Sequence, residues 1–215
     1  MTTSATDTCR DIVEDALRKI GVAAVDENAT ADQLASGLRQ FGRMLKSWQN
    51  KGYAVWAKDS QSQTLTTSAS YTLDNVRPLE LLSVRFSQNG IERPMNQMTR
   101  DEYDSLPNKD ATGTPTTFYY DRQRENVRIY VWPVMASPAG ETLEITYTRE
   151  LDDPVATDEP DIPGEWYDAA VYNLAARLTD DYQVDAPRVV ARAEQLLNEA
   201  LAFDREGSVW FNESR

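Results

Sequence analysis

The feature that most constrains the fold is the order of its patterns along the chain. Apolar residues recur at helical spacing from about Asp7 to Ile20 and again from Thr30 to about Lys51. A block of short strand patterns follows, and two more helical patterns begin near Pro163 and at Asp185. This order predicts an α+β protein in which both ends of the chain form a four-helix bundle and an antiparallel β module is inserted. Two side-by-side domains with unpaired helix pairs are the alternative.

The first two helices carry recognisable start signals. Asp7 stands where an N-cap belongs, and Thr30 and Gln33 have the spacing of a capping box. Gly37 and Gly42 lie inside the second helix and lower its intrinsic propensity. Close packing against a neighbouring helix would explain small residues there.

The central block has turn residues between short runs rich in β-branched and aromatic residues. Gln88-Asn-Gly90 predicts a tight hairpin, because both turn positions tolerate positive φ. We expect five or six antiparallel strands, including Leu79–Phe86, Ile91–Met98, Thr116–Tyr120, Val127–Trp132 and Glu141–Thr148. Thr99-Arg-Asp-Glu102 predicts a single helical turn between them.

After an acidic linker at Leu151–Asp161, the third helix has a stripe of Ala170, Leu174 and Leu178. In the fourth helix the predicted inner face consists of Val190, Ala193, Leu197 and Leu201. We therefore assign residues 1–55 and 151–206 to a discontinuous helical bundle, 56–150 to the inserted β domain, and 207–215 to an extended C-terminal docking tail.

The charge of the chain is uneven. The net charge is −13, of which residues 151–215 carry −10, while residues 1–55 are balanced. A protein that grips DNA needs clustered cations, and no such cluster stands out in the sequence. No apolar run approaches the length of a membrane helix, and the N-terminal residues do not resemble a signal peptide. We expect synthesis in a cytoplasm and no membrane partner.

Catalytic residue types are scarce. The chain has no histidine and one cysteine, Cys9, which lies on the apolar stripe of the first helix and is expected to be a buried thiol. Neither common phosphate-loop motif is present. A carbohydrate-active hydrolase remains an alternative, using acids among Asp152-Asp153, Asp158-Glu159, Asp161 and Asp180-Asp181. A free-standing module that binds a sugar or host surface through its tryptophans is another.

An ordered set of short segments resembles a known family. The segments are Ala16–Gly21, Leu38–Trp48, Tyr71–Leu73 with Arg77-Pro78, Glu102-Tyr103, Gly113–Pro115, Tyr119–Asp121, Trp132–Val134 and Asp161–Leu178. Over about residues 6–206 the chain is similar to the head-to-tail adaptor family of short-tailed bacteriophages, also called tail accessory factors or head completion proteins.

The resemblance implies a non-enzymatic virion protein without a cofactor, made in the cytoplasm of the bacterial host. Such a protein would bind below the portal, extend the DNA channel at the head–tail junction and present an attachment surface to the tail's nozzle or tubular protein. Neighbouring copies would form a dodecameric ring through which DNA passes without specific binding. We expect the portal to template this ring, because copies of charge −13 repel one another.

Two sets of site residues follow. The docking tail is expected to bind the portal or a neighbouring copy through Gly207, Val209, Trp210 and Phe211. Acids expected to face the DNA path, where they would repel phosphate, are Asp180, Asp181, Glu199 and Glu206. Plain solubility of the outer surface is the alternative role for these acids.

Overall fold

A computed structural model describes residues 7–24, 27–73, 78–123 and 127–203. The helices are α1 (Cys9–Lys19), α2 (Ala31–Asn50), α3 (Arg100–Asp104), α4 (Tyr167–Tyr182) and α5 (Pro187–Phe203), with a 3-10 helix at Gly164–Trp166. The strands are β1 (Lys58–Thr64), β2 (Ser70–Thr72), β3 (Glu80–Gln88), β4 (Ile91–Pro94), β5 (Asn96–Met98), β6 (Thr117–Asp121), β7 (Arg128–Trp132) and β8 (Thr142–Thr148). The chain divides into a helical unit, Met1–Trp56 with Leu151–Arg215, and a sheet unit, Ala57–Glu150.

The first two helices begin with reciprocal capping boxes. Thr8, rather than the predicted Asp7, caps α1, because its hydroxyl accepts from the Asp11 amide while the Asp11 carboxylate accepts from the Thr8 amide at 2.8 Å. The predicted box between Thr30 and Gln33 is confirmed at α2.

Gly37 packs closely against a neighbouring helix, as expected, whereas Gly42 packs against the linker. A Cβ at Gly37 would overlap Cγ1 of Val13 on α1, so a larger residue there would force Val13 or the helices to shift. A Cβ at Gly42 would lie 3.1 Å from Cδ of Pro154 in the linker, a contact that requires a small shift.

Helix α4 is the centre of the helical unit. It packs against α1, α2 and α5, and α1 also packs against α2. The predicted stripe of Ala170, Leu174 and Leu178 is fully buried, and Ala169 and Ala175 are buried beside it. Both helix pairs therefore meet, which contradicts the alternative of unpaired helix pairs. A closed four-helix bundle is not confirmed, since α5 packs chiefly on α4 and the 3-10 helix.

The predicted inner face of α5 is partly wrong. Ala193 is buried, but Leu196 and Ala200 accompany it, and Val190 is 40% exposed. The side-chain amide of Asn173 on α4 donates to the carbonyl of Ala193 at 3.0 Å. This bond and the small alanines turn α5 so that the 193–196–200 face meets α4, and the predicted Leu197 and Leu201 are only half-buried.

The sheet unit contains two four-stranded sheets, in the orders β1-β8-β3-β4 and β2-β7-β6-β5. The first is antiparallel, whereas β5 pairs with β6 in parallel. The prediction of five or six antiparallel strands is therefore wrong in number and in one pairing. The expected strand Ile91–Met98 is divided at Met95, whose amide bonds the carbonyl of Val84, and its two halves join different sheets.

Other predictions for this unit are confirmed. Asn89 and Gly90 have φ of 52° and 76° in the β3–β4 hairpin, and β6 pairs antiparallel with β7. Leu143, Ile145 and Tyr147 of β8 alternate into the core. Strands β1 and β8 are neighbours, so the sheet unit begins and ends side by side, with the Arg149 amide 2.9 Å from the Ala57 carbonyl.

Candidate docking surfaces

The predicted docking tail, with Gly207, Val209, Trp210 and Phe211, lies outside the described residues, as does Glu206. The other three predicted channel acids are described and exposed. Asp181 at the end of α4 accepts a hydrogen bond from the side-chain amide of Gln40 at 2.7 Å, and Glu199 accepts one from Gln195. Asp180 is adjacent to Asp181. Asp181 and Glu199 bond to different partners, so no shared hydrogen bond joins them into one site.

Helix α2 carries a second candidate surface, which is basic. Arg39, Arg43 and Lys46 follow one another at spacings of four and three, which places all three on one exposed side of the helix. We call this set the basic face. It borders an open groove of about 360 Å³ that is also lined by Leu38, Gly42, Asp153 and Pro154.

The ion pairing of the basic face is incomplete. Nζ of Lys46 lies 2.8 Å from a carboxylate oxygen of Asp153. Neither Arg39 nor Arg43 forms an ion pair with any residue in the described part of the chain. Two exposed guanidinium groups one turn apart are therefore available to a carboxylate or phosphate.

A cluster of tyrosines covers the outer side of the second sheet. Tyr119 of β6 and Tyr130 of β7 occupy paired positions, with ring centroids 5.9 Å apart. Tyr103 of α3 packs on both rings, at 5.1 Å from Tyr119 and 5.2 Å from Tyr130. We call these three residues the tyrosine patch. The capping box of Thr99 and Glu102 starts the turn that presents Tyr103, and Nζ of Lys109 lies 4.6 Å above its ring.

The tyrosine patch combines apolar rings with hydroxyl groups that have no described hydrogen-bond partner. Its members are half-buried, and none of their hydroxyls bonds to a described residue. Desolvation raises the pKa of Tyr103 and of Tyr119, so these hydroxyls stay protonated and able to donate. Half-exposed tyrosines of this kind are typical of protein interfaces.

The shifted pKa values of Cys9 and of four carboxylates do not favour catalysis by these groups. Burial raises the pKa of the Cys9 thiol to about 11, in agreement with the expected buried thiol. No group of three or more Cys, Asp or Glu in the described ranges is arranged to hold a metal ion. Donors facing the carboxylates of Asp11, Glu102, Glu141 and Glu144 lower the pKa of each, the opposite of what a general acid requires.

The described tryptophans are poorly placed to stack on a sugar. Trp48 and Trp166 are buried, with ring centroids 5.3 Å apart, and Trp56 lies 4.9 Å from Trp166. The indole of Trp132 donates to the carbonyl of Asn108 at 3.0 Å. These rings fill cores and anchor a loop instead of forming an exposed stacking platform. Within the described residues, no helix is both long and apolar enough to cross a membrane.

The fold is that of a two-unit α+β protein with an exposed basic helix face and an exposed tyrosine cluster, and comparison with known proteins gives its family. The family model for the SU10 adaptor protein matches residues 7–211. The chain therefore belongs to the SU10 adaptor protein family, a family of phage head–tail adaptors, and the resemblance seen in the sequence is confirmed. Its class is that of a structural component of a phage particle.

Other comparisons add little. A chain in the solved neck of an empty GTA particle, computed with C6 symmetry, is similar to this one at 16% sequence identity. The match covers 83% of this chain and 82% of that chain, with a TM-score of 0.31, too low to support a structural argument. No curated protein matches the chain.

Proposed function

We propose that this protein is the head-to-tail adaptor of a bacteriophage. Copies bind below the portal as a dodecameric ring, extend the DNA channel and provide the surface to which the tail's nozzle or tubular protein attaches. The observation that carries this proposal is the extent of the family match, which runs from residue 7 to residue 211 and so includes residues of both units. The protein acts by binding and not by catalysis.

The tyrosine patch is the surface that we assign to the tail protein. Its three rings provide apolar contact area with few rotatable bonds, which keeps the entropy cost of ordering them low. The free hydroxyls of Tyr103, Tyr119 and Tyr130 add hydrogen bonds that no described residue already occupies. These properties support docking on a largely neutral protein surface.

The C-terminal segment of residues 207–215 is the proposed portal anchor. Trp210 and Phe211 are adjacent, and burying large aromatic side chains on a partner is favourable by up to about 3 kcal/mol each. Asp180, Asp181 and Glu199 are proposed to face the DNA path with Glu206, where carboxylates would keep phosphate from binding. The exposure of the three described acids supports this role.

Co-sedimentation with portal rings from the same phage tests the adaptor proposal and the assignment of residues 207–215 as portal anchor. The full-length chain is expected to bind portal, and a chain lacking residues 207–215 is expected to bind far more weakly with unchanged helical circular dichroism. If the shortened chain binds equally well, the tail is not the anchor. If the full-length chain does not bind portal at all, the adaptor proposal is wrong.

A further inference from the structure

A ring of more than two identical copies joins two different surfaces of each copy, because its interfaces are heterologous. For a chain of net charge −13 these surfaces must limit electrostatic repulsion between neighbours. Complementary charge on the two surfaces achieves this. The helical unit presents two sets of exposed residues of opposite charge.

The first is the basic face of Arg39, Arg43 and Lys46. Carboxylates of the same chain lie at its borders: Asp153 pairs with Lys46, and Asp181 lies with Arg39 and Arg43 around an adjoining depression. A continuous phosphate backbone would meet these flanking carboxylates and be repelled. Separate carboxylates on a protein surface can instead reach the two guanidinium groups, so the arrangement favours an acidic protein over DNA.

The second surface consists of Asp7, Asp158 and Glu159, beside Tyr167 and the start of α1. We call these three residues the acidic patch. The Tyr167 hydroxyl donates to a Glu159 carboxylate oxygen at 3.2 Å. Burial raises the pKa of Tyr167 to about 12, and the charges of Glu159 and Asp7 act in the same direction.

Backbone hydrogen bonds hold the linker part of the acidic patch in place, and its carboxylates are not paired with a described cation. The amides of Cys9 and Arg10 at the start of α1 donate to the carbonyls of Asp158 and Ala156, at 2.9 and 3.1 Å, and hold this part of the linker in place. All three acids are exposed, and none forms an ion pair with a described residue.

We propose that the basic face of one copy binds the acidic patch of the next copy in the ring. This inference rests on the proposed function, since it names the lateral surfaces of that ring. Exposed ion pairs are individually weak and are screened by salt. The contact is therefore weak for isolated copies and becomes sufficient when a template aligns many of them.

Charge reversal of each surface tests the pairing by sedimentation of the full-length protein at high concentration and low ionic strength. R39E/R43E reverses the basic face, and D158K/E159K reverses the acidic patch. Each variant alone is expected to self-associate about tenfold more weakly than the wild type, a change of about 1.4 kcal/mol. An equimolar mixture of the two is expected to recover association, because each reversed surface then meets an opposite one.

R188E/R192E on α5 is the matched control for R39E/R43E. It changes the net charge equally and has the same spacing of two exposed arginines on a helix, but it leaves the basic face intact. It is expected to weaken association far less. Helical circular dichroism checks the folding of every variant, and D158N/E159Q replaces the lysine variant if that variant unfolds.

Three results would overturn the proposal: no concentration-dependent association of the wild type, no recovery in the mixture, or equal weakening by the α5 control. Binding to duplex DNA and to portal rings is measured in parallel, to detect a different partner of the basic face. Loss of either in R39E/R43E, with self-association unchanged, would assign the basic face to that partner instead. Failure of the wild type to bind portal rejects the proposed function separately, because the sedimentation assay contains no portal.

Discussion

The helical unit and the sheet unit present chemically different surfaces. In the helical unit the interior is filled by α4, and the surface of α2 carries the charged groups of Arg39, Arg43 and Lys46. In the sheet unit, strict alternation sends Phe118 and Tyr120 into the core and leaves neighbouring Tyr119 outside. One unit presents charge and the other presents aromatic rings.

This difference separates two kinds of binding. Contacts made through exposed charges weaken as salt rises, because ions screen them. Contacts made by burying aromatic rings do not depend on charge and are strengthened by excluded salts. We expect lateral contacts of the helical unit to be salt-sensitive and docking of the tyrosine patch to tolerate salt.

The largest expected effect concerns the aromatic core of the helical unit. Trp166 is fully buried between Trp48 and Trp56. Trp166→Ala is expected to lower the free energy of unfolding by about 3–5 kcal/mol, since it leaves a large cavity. Chemical denaturation followed by helical circular dichroism measures this loss. Phe203→Ala, at a side chain that is 72% exposed, is the control and should change stability by less than about 0.5 kcal/mol.

The second effect tests the close approach of α1 and α2. Gly37→Ala is expected to lower the free energy of unfolding by roughly 1–3 kcal/mol despite its better helix propensity, because the new methyl group overlaps Val13. Adding Val13→Ala should recover part of the loss in thermal denaturation. A Gly37→Ala variant more stable than the wild type would show that the helices do not pack this closely.

A matched pair of tyrosines distinguishes core from docking surface within the sheet unit. The Tyr71 hydroxyl donates to the Thr66 carbonyl and accepts from its amide, both at 2.9 Å. Tyr71→Phe is therefore expected to cost about 1 kcal/mol of stability. Tyr119→Phe removes a hydroxyl without a described partner and should cost less than about 0.5 kcal/mol. Equal losses in urea denaturation would contradict the assignment of Tyr119 to a docking surface.

The smallest effect depends on pH. Hydrogen bonds from the Thr8 hydroxyl and amide hold the pKa of Asp11 below its ordinary value of 3.8. Because the folded-state pKa is the lower one, this contribution is present above pH 3.8 and is lost as the pH falls through the folded-state value. Asp11→Asn should be less stable than the wild type by at most about 1 kcal/mol at pH 7. The difference should shrink on acidification, and a pH-independent difference would contradict this account.

The sequence predicted the elements that are determined by nearby residues and missed those that depend on residues far away in the chain. The extents of α1, α2 and α4 follow from apolar periodicity and from caps a few residues away, such as Thr30 with Gln33. Strand β1 was missed because its residues are polar, and it gains its place only by pairing with β8. The face of α5 was misjudged because Leu197 fits the helical period as well as Leu196 does.

The docking surfaces were harder to predict. Charge summed over long stretches concealed the basic face, although the spacing of Arg39, Arg43 and Lys46 on a predicted helix would have indicated it. The tyrosine patch combines α3, β6 and β7, and its existence depends on pairings that no local pattern specifies. The function could be inferred from the family resemblance, whereas the surfaces could be recognised only in the folded structure.

The most direct test of the adaptor role is electron microscopy of particles from the phage that encodes this chain, made with and without it. We predict a ring of this protein at the portal exit of complete particles. Particles made without the chain should have heads but no attached tails, and supplying the chain should restore attachment. Normally tailed particles in its absence, or density for the chain elsewhere in the particle, would contradict the account.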